Sequence, residues 1–181
     1  MNFANICIAL GLGYGLPQLY AIINPEAYKA SLKKLPRSIE VGWLLTLIST
    51  AWFLYNVHLE EISDFAPYKK FMLAGFGALG ICACIFLRDF LAIRGFALFI
   101  LLLAKLVCDT GRWVETPLRL LVITWAYVWI CAGIWWTVSP WRGRDWVDWN
   151  IADDGRLKLL SVARLVFALV LIALGATVFR G

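Results

Sequence analysis

The chain alternates between long apolar runs and short polar breaks. Six runs approach the 20 or so predominantly apolar residues that a helix needs to cross a bilayer. They are Phe3–Ile23, Ile39–Val57, Tyr68–Leu87, Phe90–Cys108, Pro117–Val138 and Leu157–Phe179. The breaks are too short to hold a separate domain, so residues 1–181 read as a single transmembrane domain. The expected fold class is an all-α integral membrane protein. It is a six-helix polytopic transmembrane bundle with short interfacial segments in loops 1 and 5.

The break between the third and fourth runs is the least obvious. From Phe71 to Val107 the chain is apolar apart from Arg88, Asp89, Arg94 and, near the end, Lys105. As one helix this stretch would be about 55 Å long, against a hydrocarbon core of about 30 Å. It would also hold Arg88 and Asp89 near the bilayer centre, where charge is expensive. A hairpin moves both to a surface. Asp89 then caps the following helix, and Arg94, about one turn inside, snorkels back.

Small residues predict where helices approach closely, because backbone contact replaces the hydrophobic force that is missing in lipid. In the third run Ala74, Ala78 and Cys82 recur every four residues, with Gly77 and Gly80 widening the face. Ser161, Ala168 and Gly175 stand seven apart in the last run, a spacing suited to left-handed crossing. In the first run Gly11 and Gly15 precede Pro17, which predicts a close contact followed by a kink. The glycines do not match the dinucleotide-binding spacing, and no strand precedes them.

The fifth run is rich in tryptophan. Trp125, Trp129 and Trp136 share a helical face with Ala132. This is an aromatic packing seam, or a stacking wall for a flat apolar ligand such as a quinone or pigment. A buried indole N–H wants a partner, and Tyr14 and Gln18 on one face of the first helix are candidates.

Two breaks share a pattern. Loop 1 (NPEAYKASLKKLPRS) and loop 5 (SPWRGRDWVDWNIADD) each begin with a proline just after a span and mix basic with aromatic residues. In loop 1, Tyr28, Leu32 and Leu35 are expected to face lipid while Lys29, Lys33 and Lys34 face water and phosphate. In loop 5, Trp141, Trp146 and Trp149 sit at headgroup level beside Arg142 and Arg144. Asp153 and Asp154 read as caps of the last helix.

Composition agrees with the pattern. The 181 residues are 62% hydrophobic, and the mean hydropathy is +0.77. A soluble domain is closer to half apolar. The net charge of +5 is not a nucleic-acid signal, because the basic residues crowd between apolar runs. Loops 1, 3 and 5 and their flanks hold eleven of the Lys and Arg residues, against six at the other end. The positive-inside rule makes the odd loops cytoplasmic and turns both termini outward, as in a bacterial-type inner (plasma) membrane. The N-terminus lacks the positive region of a secretory signal and reads as a retained first helix. Five cysteines lie in or beside apolar runs and read as buried free thiols.

Candidate chemistry is sparse. The steps Arg88–Asp89 and Arg144–Asp145, with Arg94 and Arg142, could form a headgroup or ligand site, the guanidinium taking phosphate and the carboxylate orienting it or serving as a base. Lys105 and Asp109 are four apart and can pair along a helix. Arg164 is an intramembrane charge, and such residues mark function by default, with snorkelling as the competing reading for it and for Lys105. His58 with Glu60, Glu61 and Asp64 makes a poor metal site, and no cofactor motif is evident.

Three function classes follow, in this order. The first is a non-catalytic subunit, or a partner- and lipid-binding component, of a membrane complex, binding anionic lipid at the cytoplasmic face and other membrane proteins or itself. The second is a small-solute transporter or channel in which Gly11, Gly15 and Pro17 break the first helix beside Tyr14 and Gln18. The third is an enzyme acting on lipid headgroups through Asp89 and Asp145.

Overall fold

The computed structural model describes residues 2–61 and 66–180, and Asp64 lies outside these described residues. Among them the chain is helical throughout, with eight α-helices and no strand: α1 Phe3–Ile23, α2 Pro25–Lys34, α3 Ile39–Leu59, α4 Lys69–Phe86, α5 Leu91–Gly111, α6 Arg119–Val138, α7 Pro140–Ile151 and α8 Asp154–Ala176. Five of them, α1, α4, α5, α6 and α8, are long and apolar enough to cross a membrane. The sixth long helix, α3, is broken up by Thr46, Ser49, Thr50, Asn56 and His58. It meets the same standard only when joined to the preceding α2 segment, from which it bends by 69°.

The long helices run back and forth between two ends. One end gathers the termini, where the Phe3 and Phe179 rings are 4.8 Å apart. The α5–α6 turn joins them, with Gly111 against Phe3. The tail of α3 reaches the same end, where Glu60 lies 3.5 Å from Lys105. The opposite end carries α2, the α4–α5 turn and α7, so loops 1, 3 and 5 share one end. Both α2 and α7 start on a proline, whose missing N–H costs nothing at a helix start. Asp153 caps α8 by accepting from the Arg156 N–H at 2.9 Å.

Small residues set the closest contacts. Gly11, Gly15 and Gly175 lie in the α1–α8 seam against Ala168, Ile172 and Ala4, and Ser161 is buried on the same face. The α3–α5 pair closes on Gly42 and Gly95, with Thr46 and Ser49 buried between them. Ser49 Oγ donates to the Gly95 carbonyl at 3.4 Å. A core of Phe3, Ile6, Cys7, Val107, Val122 and Leu171 joins α1, α5, α6 and α8.

Several expectations are corrected. The first helix is unbroken: α1 runs through Pro17, and Gly11 and Gly15 serve packing against α8. On α4 the face that meets α3 is Gly77, Gly80 and Cys84, while Ala74, Ala78 and Cys82 point outward, because the other small residues of the same helix fit Thr50 and Leu54. Asp89 does not cap α5. Phe90 takes that position, in the left-handed conformation at φ 56°, and no side chain caps the helix. Of the five cysteines, Cys7 and Cys84 are buried and Cys108 is half-buried, whereas Cys82 and Cys131 are exposed.

Candidate functional site

The end that carries loops 1, 3 and 5 holds both Arg–Asp steps, Arg94 and Arg142. There α2 lies against α7, and the apolar side of α2 is used in that contact. Tyr28 and Leu32 pack on Val147, Ile151 and Leu157. This corrects the expectation that they face lipid: a nearer apolar surface, that of α7 and α8, takes them. The two surface helices are tied down by charge as well. Lys29 pairs with Asp154 at the start of α8, and with Glu26 at 3.3 Å. Asp154 is therefore an ion-pair partner, not a second cap. The hydrogen bond from Lys29 holds the Asp154 carboxyl below its usual range, and the same bond raises the Lys29 ammonium. Lys33, Lys34, Arg37 and Arg142 remain exposed around this contact.

The α4–α5 turn sits beside α7. Gly143 packs on Ile93, and the Arg144 guanidinium lies 5.6 Å from the centre of the Phe90 ring. Arg144 also donates to Asp145 Oδ1 at 2.8 Å. Arg144 of the second Arg–Asp step thus touches Phe90, the residue that follows the first. Arg88 and Asp89 are exposed and make no ion pair or side-chain hydrogen bond among the described residues. Arg94 is half-buried, and its Nε has no hydrogen-bond partner among the described residues.

Beneath α7, a shallow groove of about 240 Å³ opens between α1, α6 and α8. Tyr14, Trp125, Leu160, Ala163 and Phe167 line it, with Arg164 at its edge. Its wall is aromatic: Trp125 meets the Tyr14 ring edge-on at 5.0 Å and the Phe167 ring edge-on at 4.9 Å, and behind them it lies tilted against Trp129 at 4.1 Å. Tyr14 therefore touches Trp125 through its ring. Gln18 is 5% exposed and its Oε1 accepts no hydrogen bond among the described residues. Trp136, three turns on, belongs to a different cluster with Phe96 and Trp146.

Arg164 is held from α7. Its Nη2 donates to Asn150 Oδ1 at 2.5 Å, and its guanidinium lies 5.2 Å from the Trp146 ring centre. Asn150 is fixed in turn by donating to the Trp146 carbonyl at 2.7 Å. Tyr28 of α2 closes this corner. Burial pushes its phenol up, and the nearby Arg164 charge and the Gln18 amide pull it partly back. Asn150 and Trp146 are not legible as partners of Arg164 in the sequence. The α7 residues were hidden by the turn between α7 and α8.

At the other end Lys105 does pair with Asp109, at 2.6 Å, with Glu60 as its second carboxylate. Lys105 and Asp109 edge a cavity of about 30 Å³ shared with Trp52 and Asn56, room enough for one water.

No protein-family model, curated protein or solved structure matches the chain.

Proposed function

We propose that this chain is a non-catalytic polytopic membrane protein of six crossings, a lipid- and partner-binding component of a membrane complex. In this reading α2 and α7 lie on the cytoplasmic face of a bacterial-type inner membrane. The observation that carries it is the α2–α7 pair: two surface helices clamped over one end of a bundle of apolar helices, with basic and tryptophan side chains turned outward. Lys33, Lys34 and Arg142 are exposed there, and Trp141 and Trp149 are about half exposed. Such a belt attracts anionic lipid by about 1 kcal/mol per basic residue near the surface.

Lipid as the solvent accounts for the exposed Leu16, Leu44, Phe71, Leu79, Phe86 and Leu169, which a water-soluble fold of this size does not support in such number. Association with other helices is supported by α4, which rests chiefly on α3 and turns Ala74, Ala78 and Cys82 outward.

The test is native mass spectrometry of the tagged protein extracted in mild detergents and in nanodiscs. A fixed stoichiometry with itself or with other membrane proteins is expected. Recovery of a lone monomer under every condition would remove the complex from the reading. Replacing Lys33, Lys34 and Arg142 with glutamine should lower the enrichment of phosphatidylglycerol around the protein in mixed nanodiscs.

A further inference from the structure

The groove beneath α7 sets two features side by side. One is an aromatic wall open on one side. The other is a guanidinium at its edge with no carboxylate partner among the described residues, its one hydrogen bond going to a neutral amide oxygen. A cation beside an apolar wall is costly unless an anion or several acceptors satisfy it. Arginine has five N–H donors in a planar fork, and Asn150 engages only the Nη2 group. The rest of the fork is available to a phosphodiester. Immediately along α8, Phe167, with Trp125 and Tyr14 across the groove, offers rings to a hydrocarbon chain.

We propose that this groove binds one anionic phospholipid, its phosphodiester on the Arg164 guanidinium and an acyl chain along Trp125 and Phe167. The inference rests on the membrane reading above, but on none of the exposed basic residues of α2 and α7. Asn150 and Trp146 are positioning residues: they aim the guanidinium and do not touch the lipid.

The experiment is lipid retention by native mass spectrometry, titrating the detergent-purified full chain with phosphatidylglycerol or with phosphatidylcholine of the same acyl chains. The zwitterionic lipid presents the same phosphodiester with a competing cation. One phosphatidylglycerol should be held about tenfold more tightly, because the choline cation brings a like charge up to the Arg164 guanidinium and phosphatidylglycerol brings none. Arg164→Gln should abolish that preference. Trp125→Ala should weaken both lipids alike. Lys33→Gln, Lys34→Gln and Arg142→Gln together should leave the single tight lipid in place, which separates this site from the surface belt.

Should Arg164→Gln fail to fold, Ala163→Trp serves instead: it fills the groove from an exposed position and should expel the lipid. Equal retention of the two lipids by the wild type would overturn the proposal, as would a preference that survives both Arg164→Gln and Ala163→Trp. Displacement of the lipid by an equal concentration of free glycerophosphate would overturn it too, because the head alone would then be the ligand. Failure of the membrane reading itself would show separately, as release of the protein from membranes by alkaline carbonate.

Discussion

Gly11 of α1 and Ala168 of α8 are in backbone contact: a Cβ at Gly11 would lie 2.8 Å from the Ala168 carbonyl oxygen and 2.6 Å from Ile172 Cγ1. Gly13, two residues on, has nothing within 4 Å of the same position. The two glycines form an internal control. Alanine gains up to about 1 kcal/mol of helix propensity at either site. At Gly11 an overpacking cost of about 1–3 kcal/mol opposes it. Gly11→Ala should therefore lower the thermal midpoint in dodecylmaltoside, and Gly13→Ala should leave it unchanged or raise it. The reverse order would mean that α1 is not seated on α8.

Phe90 starts α5 at φ 56°, a conformation that a bulky side chain rarely takes. Its ring contacts the Arg144 guanidinium, so both Phe90→Ala and Phe90→Gly lose that contact. Only glycine also relieves the backbone, by about 1–2 kcal/mol. Phe90→Gly is expected to be more stable than Phe90→Ala by that margin in chemical unfolding. Equal stability would place the strain elsewhere in the α4–α5 turn.

The long helices were legible because uninterrupted apolar length is a strong signal: α1 begins and ends at the expected residues, and the others shift by only a few. The hairpin at Arg88–Asp89 was legible for the same reason, as 37 residues cannot form one crossing. Its cap was not, since Phe90 is the last residue propensity would place at positive φ. The two faces of the α1–α8 seam were legible in Gly11 and Gly15 and in Ala168 and Gly175, but not that they meet each other. The seam on α4 was not legible, because one helix offered two small faces and only Thr50 and Leu54 on α3 select between them. Tyr28 and Leu32 showed an apolar side, but what covers it depends on α7, more than a hundred residues away. Arg164 was visible as an out-of-place charge, while its partner Asn150 lies on another element.

Cys131 is exposed well inside α6 and Cys82 about one turn from the end of α4, whereas Cys7 and Cys84 are buried within the bundle. If lipid covers the exposed faces, none of the four should react with a charged maleimide in intact membranes, since the reaction needs a hydrated thiolate. After unfolding in dodecyl sulfate all should react. Labelling of Cys82 or Cys131 in intact membranes would mean that water reaches these faces, and α4 or α6 would not be a crossing.

The Lys29–Asp154 pair ties α2 to the start of α8 and gives the α2–α7 contact a pH window. Asp154 titrates lower when paired, so its contribution is present above the ordinary carboxylate range and fades as pH falls through the lowered value. Lys29 titrates higher when paired, so its contribution is complete below the ordinary lysine range and is lost as pH rises through the raised value. Between roughly pH 4 and 10 the tie should be constant. At neutral pH Asp154→Asn should speed amide exchange in residues 25–34 without changing α3 or α5, because α2 leans on its apolar contact with Val147 and Ile151 once the ion pair is gone. The same acceleration should appear in the wild type on acidification below the carboxylate range, and the asparagine variant should not show that additional step. If acid loosened both proteins alike, α2 would be held by Tyr28 and Leu32 alone.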